Sequence, residues 1–72
     1  MKTVSTYKLL NDTVNYHINL IEYSLLRSKQ EVALYFYYAI LNLVSGYYNN
    51  SYISFDAYRY FRNRIMQIKK GA

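Results

Sequence analysis

Positive charge is concentrated near the carboxyl-terminal end of the sequence, in the stretch RYFRNRIMQIKK. Its five cations are Arg59, Arg62, Arg64, Lys69 and Lys70. No acidic residue follows Asp56, and arginine offers a planar fork of donors that suits phosphate and carboxylate groups. These cations are therefore predicted to bind a nucleic-acid backbone or an acidic protein surface. The alternative is a solvated helix face whose cations complement the negative end of the helix dipole.

The remaining polar residues give little support for catalysis. His17 is the single histidine, and Thr13 precedes it by one helical turn, but no carboxylate is placed to orient the pair. The four carboxylates are scattered along the chain: Asp12, Glu22, Glu31 and Asp56. Cysteine is absent, which rules out a thiol nucleophile and a thiolate zinc site. The sequence predicts a protein that is not an enzyme and holds no metal or cofactor.

Helices are the elements predicted to position these residues. Proline is absent and glycine occurs twice, which is too little turn chemistry for an all-β fold. A first helix is predicted from Thr6 to Leu26, with Ser5 as its N-cap. Its apolar residues recur at helical spacing in one stripe, with a second arc roughly opposite. The stripe is Tyr7, Leu10, Val14, Ile18, Ile21 and Leu25, and the arc is Leu9, Tyr16, Leu20 and Tyr23.

The second helix is predicted to begin near Lys29, because Ser28 and Glu31 have the spacing of a capping box. It should end at about Ser45 or Tyr48. Apolar side chains occupy nearly all of its circumference, in two faces that leave a narrow polar strip. A helix of this kind is usually buried at the centre of a protein or in lipid.

A loop, GYYNNSYIS, is predicted to follow, with Gly46 or Asn49 in the left-handed conformation that closes a helix. Ser54 is the predicted N-cap of a third helix. That helix has apolar residues at i, i+3, i+7 and i+10, and they should face the core: Tyr58, Phe61, Ile65 and Ile68. Most of its cations lie on a separate face, while Arg64 lies elsewhere. The chain is predicted to be a single all-α domain of three helices spanning residues 1–72.

The stretch from Val32 to Phe55 carries no charge, which raises the alternative of a membrane span. Its helical part would cover roughly 25 Å, whereas a bilayer core is roughly 30 Å thick. Asn42 and Ser45 interrupt the apolar run, and its tyrosine hydroxyls need polar partners. We therefore expect a water-soluble helical bundle, and a membrane-associated protein is the less favoured alternative.

Tyrosine is unusually frequent, with 11 residues in a chain of 72 that is 53% hydrophobic. A domain of this size cannot bury all of them, and small domains often gain stability from a partner subunit. Tyrosine is also enriched at protein interfaces. We therefore expect a homodimer, with an interface formed by Tyr16, Tyr23, Tyr37 and Tyr48.

The net charge of +5 favours anionic partners. The first hypothesis is a dimeric accessory or regulatory protein that binds nucleic acid through its third helix. The second is an interaction module, such as an inhibitor or adaptor of a host protein, and the third is a small membrane-associated protein. No apolar signal segment is evident, so a cytoplasmic location is expected. The small size and the richness in residues with AT-rich codons suggest a virus, a plasmid or another mobile element.

Overall fold

A computed structural model describes residues 5–71, with side chains described for residues 5–68. Three helices make up this part of the chain: α1 at Thr6–Leu26, α2 at Gln30–Asn49 and α3 at Phe55–Gly71. No strand occurs in the described range. The predicted all-α, three-helix fold is confirmed. The molecule measures 41 × 26 × 16 Å along its principal axes.

Helix α1 has the bounds predicted from its periodicity. The Ser5 hydroxyl accepts a hydrogen bond from the Lys8 amide at 3.0 Å, as expected of an N-cap. Leu10, Val14 and Ile21 of the predicted stripe are buried. The opposite arc stays largely at the surface, because its Leu9, Tyr16 and Tyr23 are each more than half exposed. One face of α1 therefore builds the core, and the other is open in the single chain.

The turn between α1 and α2 differs from the prediction. Ser28 has a φ of 60°, and its amide donates to the Leu25 carbonyl at 3.0 Å. The next amide, of Lys29, donates to the Ser24 carbonyl at 2.8 Å. These two bonds form a Schellman motif, so Ser28 closes α1 instead of opening α2. The predicted capping box is wrong, and Lys29, the N-cap of α2, makes no side-chain capping bond.

Helix α2 ends in the same way. Ser51 has a φ of 63°, and its amide donates to the Tyr48 carbonyl at 2.9 Å. The Tyr52 amide donates to the Tyr47 carbonyl at 2.8 Å, and the rings of these two tyrosines meet at 5.8 Å between centroids. This ring contact is the apolar clasp that often accompanies a Schellman motif.

Gly46 and Asn49 both lie inside α2, so the prediction that one of them closes the helix is wrong. The C-cap is Asn50, whose side-chain amide donates to the Gly46 carbonyl at 2.8 Å. A methyl group added at Gly46 would meet no heavy atom within 4 Å. Gly46 therefore serves neither a left-handed turn nor a close approach of two backbones.

The core face of α2 runs along the boundary between the two apolar faces predicted for it. Its buried apolar residues are Ala33, Tyr37, Ile40 and Val44. Val32, Tyr35 and Leu43 remain 42%, 71% and 37% exposed. In the single chain, one face of α2 packs against the other helices. The prediction of a helix buried on nearly every side is therefore wrong for the single chain. Each helix is also too short or too polar to cross a membrane, as far as the described residues extend.

Helix α3 closes the core. The Ser54 hydroxyl accepts a hydrogen bond from the Ala57 amide at 3.1 Å, which confirms the predicted N-cap. Phe61 and Ile65 are fully buried, and the flanking stripe residues Tyr58 and Ile68 pack against them. The predicted core stripe is therefore confirmed. Its burial fixes which residues of α3 can face solvent.

Candidate functional site

Two of the predicted binding residues, Arg59 and Arg62, lie exposed on α3. In the part of the chain that the structure describes, the one ion pair joins Lys8 Nζ to Asp12 Oδ2 at 3.0 Å. Among the described residues, neither arginine has a carboxylate within ion-pair distance. The two guanidinium groups are thus available to an external anion.

Arg64 lies apart from these two arginines. It is half-buried, and its Nη1 donates to Asn11 Oδ1 at 3.4 Å while its Nη2 donates to Asn15 Oδ1. Its guanidinium carbon also lies 5.7 Å from the centroid of the Tyr60 ring. These contacts join α3 to α1. In the single chain, Arg64 holds two helices together and does not face an outside partner with Arg59.

Lys69 and Lys70 belong to the last turns of α3. Their side chains lie outside the described residues, so their binding role stays a prediction. Of the five predicted cations, Arg59 and Arg62 are the two that the structure places on one open surface.

Arg59 is next to an aromatic group that periodicity did not predict. Its guanidinium carbon lies 5.8 Å from the centroid of the Phe55 ring. The Tyr48 and Tyr58 rings are stacked, with centroids 4.8 Å apart and planes 25° apart. Phe55 meets Tyr58 at 6.1 Å and 31°, and Tyr48 at 5.8 Å and 56°. We call Tyr48, Phe55, Tyr58 and Arg59 the aromatic–arginine cluster.

The cluster lies where the end of α2 meets the start of α3. Phe55 is 53% exposed and Tyr48 is 37% exposed, so two of its rings reach the surface. Asp56, in the first turn of α3, is the one acid within this helix, and it forms no ion pair with Arg59. Phe55 and Arg59 are four residues apart on one helix, and this spacing is a sequence signal for their contact. The contact of Tyr48 with Phe55 depends on the tertiary fold, so no local sequence pattern indicates it.

A second aromatic surface crosses the junction of α1 and α2. The Tyr16 and His17 rings lie 6.0 Å apart, His17 and Phe36 lie 6.1 Å apart, and Phe36 and Tyr35 lie 5.5 Å apart. Tyr16 is 63% exposed, and Tyr35 is more exposed still. We call these four residues the aromatic seam. It carries no acid, lysine or arginine.

The four tyrosines predicted to form an interface do not share one surface. Tyr16 and Tyr23 lie exposed on α1, whereas Tyr48 stacks between α2 and α3. Tyr37 is 7% exposed and belongs to the core. Tyr16 instead lies in a row with Tyr35, which the sequence reading did not select. The surface available for a partner on this side is therefore the aromatic seam and its neighbours.

His17 has a structural role in this fold. Its Nδ1 lies 2.9 Å from the Thr13 carbonyl oxygen, to which a protonated Nδ1 donates. Its ring also packs edge-on against Phe36, across the helix junction. No group of three or more histidine, aspartate and glutamate side chains gathers within the described range.

An open groove of about 1000 Å³ lies where the end of α1 and the start of α2 meet α3. Aliphatic side chains line most of it, among them Ile18, Leu25, Leu34 and Ile68. Arg64 also contributes to the lining, from its position against α1. Glu22, Gln30 and Gln67 add polar groups to the lining, and the exposed Arg59 and Arg62 do not line the groove.

Comparison with known proteins gives no further information about function. No protein family, curated protein or solved structure matches the chain. The function is therefore argued from the surfaces of the molecule.

Proposed function

We propose that this protein is a small homodimeric accessory or regulatory protein that binds nucleic acid through α3 and has no catalytic activity. The observation that carries the proposal is the pair of exposed arginines, Arg59 and Arg62, neither of which has a carboxylate partner in the described part of the chain. A net charge of +5 attracts anions to the molecule as a whole, and this pair of arginines provides a site at which an anion can bind.

The helix dipole does not account for these two arginines. Cations are stabilised in the last turn of a helix, and the effect fades within about one turn. Arg59 and Arg62 lie in the first half of α3, far from its end at Gly71. At these positions the helix dipole does not stabilise the two arginines. This favours an external anion as their partner.

The proposed dimer forms through the aromatic seam. Tyr16 and Tyr35 are 63% and 71% exposed, and the nearby Leu9 and Val32 are 51% and 42% exposed, so apolar surface is available to a second copy. The four residues of the seam carry no acid, lysine or arginine, so covering them desolvates no ion pair, and the Lys8–Asp12 pair beside Leu9 would lie at the rim of the interface. An isologous pair would present Arg59 and Arg62 twice.

Mobility shift with a nucleic acid at about 50 mM salt tests the proposal. The variant Arg59→Ala with Arg62→Ala should abolish retention while circular dichroism keeps its helical signal. A matched control is Arg27→Ala with Lys29→Ala, which removes the same charge from the exposed turn after α1. The control should bind as the wild type does.

Two results would contradict the proposal. The first is an absence of binding by the wild type at low salt. The second is equal weakening by both double variants, since that would indicate net charge rather than a surface on α3. A salt series adds a check. The plot of log K against log salt has a negative slope, and each lost phosphate contact should make that slope shallower by about one.

The groove at the end of α3 favours a second candidate, an interaction module that binds another protein. Leu34 lines the groove and is 44% exposed, so Leu34→Glu can be tolerated by the fold. Under this candidate, the variant loses a protein partner that wild type retains after nuclease treatment and at raised salt. Nucleic-acid binding that survives Leu34→Glu and fails with the α3 variant favours the first candidate.

A further inference from the structure

We infer that the nucleic acid bound by this protein is single-stranded, and that the aromatic–arginine cluster stacks one of its unpaired bases. The inference rests on the proposed function, because it names the class of nucleic acid for the same surface. Single-strand binding combines stacking on aromatic rings with cations that follow the backbone. The end of α2 and the start of α3 bring both features together.

The geometry of the rings provides the stacking platform. Tyr48 and Tyr58 are already stacked, at 4.8 Å and 25°, and the Phe55 ring lies 31° from the plane of Tyr58. Tyr58 packs against the core, which holds its ring in place before any ligand arrives. Phe55 keeps 53% of its surface exposed, and the Arg59 guanidinium over its ring is itself exposed, so a base can stack there by displacing a solvated side chain only.

The arginines provide the contact to the backbone. Arg59 lies against Phe55, and Arg62 follows one helical turn later on the same exposed side. From Phe55 to Arg62 the helix rises about 10 Å. A base on Phe55 therefore leaves its own or an adjacent phosphate within reach of a guanidinium group. Asp56 is the one acid on this helix and opposes the anion.

A duplex fits this surface less well. Its bases are stacked on each other inside the helix, so a protein meets base edges and phosphates but no free base face. The exposed Phe55 would then lie against the phosphate backbone without a polar partner.

The test compares three probes by fluorescence anisotropy at low salt. They are a short thymidine oligonucleotide, an abasic oligonucleotide of equal length, and a duplex. The abasic strand has the same phosphates without bases, so it isolates the stacking contribution. We expect the wild type to bind the thymidine strand roughly tenfold more tightly than the abasic strand.

Two variants at Phe55 sharpen the test. Phe55→Leu keeps an apolar side chain and removes the ring, so it should lose roughly tenfold in affinity for thymidine and little for the abasic strand. Phe55→Trp keeps a ring and should retain binding. Because the natural chain has no tryptophan, the introduced residue is the only tryptophan in the variant. Binding of the thymidine strand should quench its fluorescence. Circular dichroism checks that both variants fold.

The outcomes separate this inference from the proposed function. Equal affinity for the thymidine and abasic strands, or an unchanged thymidine affinity in Phe55→Leu, overturns the stacking inference and leaves the role of α3 intact. Tighter binding to the duplex than to the thymidine strand also overturns it. If the wild type binds none of the probes, both proposals fail, and a protein partner for Arg59 and Arg62 becomes the better explanation.

Discussion

At the scale of single residues, three arginines of α3 fall into two roles. Arg59 and Arg62 are exposed and form no ion pair within the described range, while Arg64 donates hydrogen bonds to Asn11 and Asn15 on α1. Helical spacing placed Arg64 apart from the other two, although all three were predicted to bind. The sequence could not identify the partners of Arg64, because they lie 53 and 49 positions away in the chain. A distant pairing of this kind has no local signature.

The first prediction at this scale concerns Arg64. Replacing it with alanine leaves two asparagine carbonyls without their donor, so Arg64→Ala should lower the free energy of unfolding by about 1–2 kcal/mol. Arg62→Ala, at an exposed position, should change it by less than about 0.5 kcal/mol. Urea denaturation followed by circular dichroism measures both. Unchanged stability in Arg64→Ala, together with lost nucleic-acid binding, would show that Arg64 acts at the binding surface instead.

At the scale of elements, both interhelical turns are built on a serine in the left-handed region. Ser28 and Ser51 have φ values of 60° and 63°, where a side chain with a Cβ is strained and glycine is not. The capping-box pattern at Ser28 indicated a helix start, because serine followed three residues later by glutamate is typical of a helix N-terminus. Serine gives no hint of a Schellman motif, whereas glycine at that position would have done so.

This geometry predicts that two substitutions near the end of α2 stabilise the protein: glycine at Ser51 and alanine at Gly46. Ser51→Gly should raise the free energy of unfolding by about 0.5–1 kcal/mol, because glycine adopts a positive φ without strain. Gly46→Ala should raise it by a similar amount, since Gly46 is inside α2 and a methyl group there meets no neighbour.

Thermal and urea unfolding of the two single variants and the double variant measure these effects. The effects should add if the turn and the helix interior act separately. Ser51→Ala is the matched control, because alanine keeps the Cβ and the strain of serine. A gain in Ser51→Ala equal to that in Ser51→Gly would contradict the role assigned to φ.

At the scale of the whole molecule, the number of helices, the core stripes of α1 and α3 and the caps at Ser5 and Ser54 were predictable. Each depends on spacing within one segment, and spacing is visible in a sequence. The core face of α2 was not predictable, because apolar residues occupy nearly all of its circumference. Packing against α1 and α3 decides which of them are buried. Ala33 is buried there while Tyr35 is open to solvent.

The exposed side of α2 leads to the prediction at this scale. Tyr35→Glu places a charge in the aromatic seam, so light scattering should show one chain where the wild type shows two. Tyr52→Glu is the matched control: Tyr52 is 65% exposed, close to the 71% of Tyr35, and lies outside the seam. The control should remain dimeric. A monomeric wild type, or equal dissociation of both variants, would contradict an interface at the seam.

The scarcity of ion pairs also has a practical consequence. In the described part of the chain, Lys8 and Asp12 form the single pair, and both side chains are more than half exposed. Exposed pairs contribute less than about 1 kcal/mol and are screened by salt. The melting temperature should therefore stay nearly flat as sodium chloride is added. Ionic strength can then release a bound anion while the folded chain survives, and a salt gradient becomes a gentle way to recover the protein with its ligand removed.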